Sequence, residues 1–225
     1  ASRRSRTDTI KTRLKNAIAA EPKARAKVLT AALTVFRKKG LAGTSVEDLL
    51  QEGPVSRGSF YQYFQSKYDV GAALFQHMQE ILVDMTRAVS AGERQPLVRV
   101  SNVFDVYMQM QLELGWLYAM LLAEAKQPTS PLAQVREVML VKATQLINRT
   151  FQDIQGRTMD VEVYEALMLA IEELTLRAHQ RGTFKQADAD QIRRVMLPII
   201  QRTFAQPGEP LLEMPASAGA VTARK

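Results

Sequence analysis

The sequence predicts an all-α fold on three observations. Apolar residues recur at three- and four-residue spacing through most of the chain, the breaks between these runs fall at glycine and proline, and no stretch alternates polar and apolar long enough to read as a strand. The pattern divides the 225 residues into four parts. These are a basic extension (1–22), a compact three-helix unit (23–67), a larger helical body (68–204) and a Pro-, Gly-, Ala- and Ser-rich tail (205–225) whose composition predicts disorder.

The extension opens with Arg3, Arg4 and Arg6 among serines. It has nothing apolar to bury, so it reads either as a solvated tail or as a basic arm that tracks phosphates or enters a minor groove. Ile10, Leu14, Ala17 and Ile18 then predict a short amphipathic helix over residues 8–20, and Pro22 suits the start of the next helix. That helix spans Lys23–Lys39: Val28, Ala31, Ala32, Val35 and Phe36 form one stripe, three cations fill the last turn, and Gly40 stops it. Thr44 or Ser45 caps a short helix with Glu47 and Asp48 in its first turn, ended by Gly53-Pro54. Ser56 caps another, read over residues 56–67 as SRGSFYQYFQSK.

Beyond residue 67 the periodicity predicts helices over 67–90, 96–114 and 115–126, a loop over 127–131, and helices over 132–154, 161–181 and 188–204. Pro198 is expected to kink the last one.

Charge is regional. Residues 1–67 hold fourteen Lys/Arg against five Asp/Glu, a net of +9, whereas the remainder holds sixteen against eighteen, a net of −2. A positive end on a near-neutral body suits a polyanion, either nucleic acid or an anionic membrane surface. With no cysteine, disulfides, thiolate nucleophiles and zinc ribbons are excluded, and the two histidines, His77 and His179, lie too far apart in sequence to suggest a metal site. No metal or cofactor is expected. The chain shows neither the apolar run of a signal peptide nor one long enough to span a membrane, so it reads as a soluble cytoplasmic protein. It also lacks a nucleophile elbow or a Gly-rich phosphate loop with lysine, which argues against an enzyme. The acidic pair Glu172-Glu173 reads as solvated or interface charge, because adjacent helical residues diverge.

Residues 56–67 carry the chemistry for DNA. Arg57, Gly58 and Ser59 stand at the exposed start of the helix, where small residues permit close approach and an arginine can reach a base edge. The phenols of Tyr61 and Tyr63 and the ammonium of Lys67 can hydrogen-bond to phosphate, while Phe60 and Phe64 read as core. Helix, tight turn, helix is the arrangement that sets a second element into a major groove.

From residue 23 to about 74, the pieces A-x3-F (Ala32 to Phe36), Lys39-Gly40, T-S-V-x-D-L (Thr44 to Leu49), V-S-R-G-S-F-Y-x-Y-F (Val55 to Phe64) and Ser66-Lys67 resemble the N-terminal domain of tetracycline-repressor-like transcriptional regulators. The resemblance covers about a quarter of the chain. It implies a helix-turn-helix DNA-binding domain over 23–67, with Arg57, Gly58 and Ser59 facing bases and Thr44, Ser45, Tyr61, Tyr63 and Lys67 on phosphates, next to the Ser56 cap. Gly53-Pro54 departs from the Ala-Gly usual in that family, and Pro54 stiffens the turn.

In the body, Phe104, Tyr107 and Met108 offer an adaptable apolar and aromatic lining. Trp116, Tyr118, Met120 and Met139 add to it, and Glu124 is an isolated acid between alanines. Each residue alone could simply be core, but with the resemblance they imply a pocket for a small, largely apolar effector. The helices over 161–181 and 188–204 are apolar on more than one side, which suggests a partner, and the resemblance implies a homodimer through a four-helix bundle. The reading is therefore a sequence-specific regulator, a repressor released from a near-palindromic operator when its effector changes the spacing of two recognition helices. Its rivals are a sequence-blind DNA architectural protein and a membrane-surface protein using residues 8–20.

Overall fold

The computed structural model describes residues 9–155, 158–205, 208 and 210. Arg3, Arg4 and Arg6, and nearly all of the 205–225 tail, lie outside the described residues. Within them every regular element is a helix: α1 (Ile10–Ala19), α2 (Lys23–Lys39), α3 (Val46–Glu52), α4 (Arg57–Tyr61), α5 (Lys67–Ser90), α6 (Pro96–Ala125), α7 (Pro131–Gln155), α8 (Val161–Gln180) and α9 (Gln186–Phe204).

Local capping sets the boundaries of the first five. Thr9 accepts from the backbone N–H of Thr12 at 3.2 Å to start α1. α2 stops at Gly40, whose φ of 69° a side chain would resist. Reciprocal capping boxes, Ser45 with Asp48 and Ser66 with Asp69, open α3 and α5, and Ser56 accepts from the Ser59 N–H at 3.1 Å to open α4. The turn between α3 and α4 is pressed onto α2: a Cβ on Gly53 would stand 2.9 Å from Cβ of Ala31 and 3.0 Å from the Lys27 carbonyl. Glycine is required there by space, and Pro54 sits exposed beside it.

The expected helix over 56–67 is shorter than its sequence suggested. It ends at Tyr61, and Tyr63 and Phe64 belong to the turn before α5 because Phe60 and Phe64 are both drawn into the core, 5.8 Å apart. The two expected helices over 96–114 and 115–126 are one helix with a break at Leu114 (φ −126°, ψ 15°). Just past the break, a Cβ on Gly115 would lie 2.4 Å from Cε1 of His179, so the glycine lets α8 cross closely. α7 starts at Pro131 rather than after it, and α9 runs through Pro198 as a continuous helix from Gln186 to Phe204.

α5, α6 and α7 pack on one another, and α8 and α9 close the other side of α6. One apolar cluster runs without interruption from Ile10, Leu14 and Ile18 of α1 through Phe36, Leu49 and Phe60 into α5 and α6. A second joins Phe104 and Met108 of α6 to Tyr164 of α8 and to Ile192, Met196 and Ile200 of α9. The α1 stripe that a membrane-surface reading required is buried against α2, α5 and α6, which removes the apolar face that such binding needs.

Candidate nucleic-acid interface and a cavity in the body

The tip of α4 projects because its other side is anchored. Phe60 is fully buried, while Ser56, Arg57 and Gly58 are exposed and Ser59 is half-buried. The hydroxyls of Ser56 and Ser59 share a hydrogen bond of 2.9 Å, and the Arg57 guanidinium pairs with the Glu47 carboxylate of α3. Tyr61 remains 43% exposed and meets the edge of Phe60 at 5.3 Å. Ser45 is exposed one turn before Asp48, and the Lys67 ammonium donates to the Ala42 carbonyl at 2.6 Å, so it lies beside the loop that leads into α3.

Two predicted phosphate contacts are placed differently. Thr44 is 3% exposed, and its hydroxyl donates to the Gly40 carbonyl at 2.6 Å, so the side chain braces the α2–α3 loop and its proton is already committed rather than offered to a phosphate. Tyr63 is half-buried and packs against the core, leaving Tyr61 as the more open phenol. Cations near this face are held in place rather than free: Lys39 bonds Asp48 at 2.6 Å and holds that carboxyl down at about 2, with the Ser45 backbone N–H assisting.

The body holds a cavity of about 190 Å³, partly open to solvent, to which all five helices α5 to α9 contribute. Its wall is mostly apolar, with Leu82 and Val83 from α5, Met139 and Leu140 from α7, and Ile171 and Ile200 from α8 and α9. Of the residues expected to line a pocket, Phe104, Tyr107, Tyr118 and Met139 do so. Met108, Trp116, Met120 and Glu124 do not. Met108 is buried in the α6–α8–α9 cluster, and Met120 packs on the other core. Trp116 carries the Arg37 guanidinium 5.2 Å from its ring centre, which ties the end of α2 to α6. Glu124 is half-buried away from the cavity.

The polar end of the cavity is where sequence reasoning fell short. Arg136 of α7 and Glu172 of α8, both lining it, form an ion pair at 2.6 Å, with Glu172 only 7% exposed. Of the two readings of this acidic pair, solvated or interface charge, Glu172 is not solvated, and its neighbour Glu173 faces outward, pairing with Arg177 and Lys126. The signal was present, since Arg136 is in phase with Met139, Leu140 and Ala143, and Glu172 with Met168 and Thr175, so opposite charges sit within two apolar stripes. Around the pair, the Tyr107 hydroxyl meets Thr175 Oγ1 at 3.2 Å, and Gln79 Nε2 donates to the Tyr118 hydroxyl at 3.4 Å. Burial, reinforced by the Glu172 charge, pushes the Tyr118 phenol far above its ordinary range; Tyr107 moves the same way, with burial again the main cause.

Residues 28–74 match the family model of the bacterial regulatory proteins of the tetR family. Among curated proteins, the chain is similar to the HTH-type transcriptional repressor DhaR of Mycobacterium sp. strain GP1, with 29% identity over 122 residues, or 52% of this chain and 58% of that one. An HTH-type transcriptional regulator of Lactococcus lactis subsp. lactis is 31% identical over 80 residues, 35% of this chain and 41% of that one. The chain thus matches roughly half the length of these relatives. Solved structures share the whole architecture. The fatty acid degradation regulator FadR of Bacillus halodurans superposes with a TM-score of 0.65 at 17% identity, over 79% of this chain and 95% of that one. A TetR-family transcriptional regulator of Agrobacterium tumefaciens gives 0.60 at 18% identity, over 80% and 96%. Residues 28–74 are thus similar to the tetR family of bacterial regulatory proteins, and the chain shares the fold of solved structures such as the TetR-family regulator of Agrobacterium tumefaciens.

Proposed function

We propose that this protein is a sequence-specific DNA-binding transcriptional regulator, a repressor released from its operator by a small, largely apolar effector held in the α5–α9 cavity. One observation carries the reading: α5 begins at Lys67, immediately behind the α4 tip, and its second half supplies Gln79, Leu82, Val83 and Thr86 to the cavity wall. A single rigid rod thus belongs to both sites, so any ligand that prefers one tilt of α5 biases the position of α4. The DNA-binding unit is 23–67, with Arg57 to Ser59 reading base edges beside the Ser56 cap and Ser45, Tyr61 and Lys67 on phosphates; 68–204 is the effector and dimerisation unit. No catalytic role is assigned.

The operator is near-palindromic because the regulator is a homodimer. Leu169 of α8 and Val195 and Ile199 of α9 are each about 45–47% exposed, large apolar side chains whose burial a second copy would provide. Two recognition helices must then stand roughly 34–36 Å apart to meet both half-sites. The protein works in the cytoplasm, in keeping with the lack, among the described residues, of any helix long and apolar enough to cross a membrane.

Competition binding against genomic fragments at fixed salt tests the reading. Selection of one near-palindromic sequence supports it, with Arg57→Ala relaxing that selection and Lys67→Ala weakening all duplexes alike. Equal affinity for every duplex would leave only a sequence-blind DNA binder.

A further inference from the structure

The cavity has a volume, a wall and a buried polar end, and together these define a ligand class. A cavity of about 150 Å³ holds benzene, so one of about 190 Å³ takes roughly eight non-hydrogen atoms before a ligand reaches its open side. The wall gives such a molecule almost nothing but apolar contact. At the polar end, Arg136 and Glu172 cancel each other's charge, and each is costly to leave unpaired at this depth. Arg136 Nε is nevertheless buried with no hydrogen-bond partner among the described residues, and the Tyr118 hydroxyl lies within the electrostatic reach of the pair. That end therefore offers donors and no net charge.

We propose that the ligand is a compact, uncharged molecule whose buried end is a carbonyl acceptor, of the ketone, ester or amide class, received by Arg136 Nε–H, and that a free carboxylate of the same size is rejected. The inference rests on the cavity being the effector site and adds the chemistry of its occupant. A carboxylate placed beside Arg136 has to share that cation with Glu172, leaving one net negative charge at the buried, apolar-walled end of the cavity. A ligand ammonium has to take Glu172 from Arg136 and strand the guanidinium. A neutral carbonyl satisfies Nε–H and disturbs neither charge. Arg87 and Arg99 also line the cavity but are engaged elsewhere, Arg87 near Asp84 at 3.7 Å and Arg99 with the Glu93 carbonyl, and Arg87 is exposed to solvent.

Titration calorimetry on the full chain without DNA tests the class, using methyl hexanoate, hexanamide, hexanoate and ethylbenzene at about pH 7.5. The ester and amide should bind at least about tenfold tighter than hexanoate, the margin that one hydrogen bond to a charged group supplies. Arg136→Lys keeps the charge facing Glu172 but removes the Nε–H. It should weaken the ester and amide about tenfold and leave ethylbenzene unchanged. Glu172→Gln, nearly isosteric, should raise the affinity for hexanoate until it matches or passes the ester. Hexanoate binding as tightly as the ester in the unaltered protein overturns the proposal, as does an ester affinity that Arg136→Lys leaves intact. If hexanoate binds tightly and loses that affinity in Arg87→Ala/Arg99→Ala, the head of the ligand lies at the arginine end, and the proposal again falls. Failure of all four probes to bind also sinks this ligand class, while the DNA competition experiment still decides the regulator reading independently.

Discussion

The guanidinium of Arg57, at the tip of α4, is paired with the carboxylate of Glu47 on α3. Both side chains are more than half exposed, so the pair is weak and screened by salt, and it competes with DNA for the same cation. Glu47→Gln should raise affinity for all duplexes severalfold at low salt and steepen the salt dependence by roughly 0.9 per phosphate gained. Arg57→Ala should remove about 1–3 kcal/mol of discrimination at one base pair per half-site. Fluorescence anisotropy across a salt series reads both; an unchanged Glu47→Gln curve would show that the pair does not restrain Arg57.

Thr44 separates bracing from binding. Thr44→Val keeps the shape but leaves the Gly40 carbonyl without its 2.6 Å donor, so chemical denaturation should report a loss of about 1 kcal/mol. Operator affinity, corrected for the folded fraction, should stay within about twofold. A large selective loss of affinity would return Thr44 to the phosphate contacts.

Docking of α1 is measurable through Leu14, which is 2% exposed between Ile10 and Ile18. Leu14→Ala should cost about 2–5 kcal/mol in urea unfolding. A cost below about 1 kcal/mol would mean that α1 adds little to the core.

Pairing of two copies through α8 and α9 depends on their exposed apolar residues. Leu169→Glu combined with Ile199→Glu should give monomer mass by light scattering at micromolar concentration, with the cavity ligand still bound and operator binding lost. A double variant that still dimerises would move the interface elsewhere.

His179 supplies a pH signature. Its ring lies against Phe184 at 5.0 Å and meets Gln111 Oε1 at 3.0 Å; burial holds its pKa below the ordinary 6.5, with Asp188 opposing weakly. The folded state therefore favours neutral imidazole. Its contribution is complete above about pH 6.5 and declines as pH falls through the lower folded value. Thermal unfolding from about pH 8 to about pH 5 should show Tm falling on the acid side. His179→Gln, which titrates nowhere in that range, should flatten the fall; an equal slope in both proteins would assign the acid sensitivity to other groups.

How far these features were legible follows from the range of the forces that set them. The helix starts at Thr44 or Ser45 and at Ser56 and the stop at Gly40 depend on neighbours within four residues, and they read directly from the sequence. The length of α4 did not, because Phe60 and Phe64 are both captured by distant partners and the chain must turn between them. α6 was harder still. Its aromatic and methionine residues face three different neighbours, and the break at Leu114 shifts the phase, so Tyr107 and Tyr118 reach the cavity while Met108 and Trp116 serve other contacts. The Arg136–Glu172 pair joins residues 36 apart, and only two helices brought face to face reveal it.

The apolar cluster that begins at Ile10 passes beneath α2, α3 and α4 and runs on through the C-terminal part of α6, where Leu117 and Leu121 are fully buried, to Leu132 of α7. The helices that face DNA thus have no interior of their own. A fragment cut after residue 67 would lose the other half of its core, and heat or denaturant should melt reading head and body in one step. If the protein is the repressor proposed above, a small substitution at Leu117 or Leu121 would be indistinguishable in a cell from an operator-binding defect: target genes would stay on although every residue of the α4 tip and of the cavity was intact.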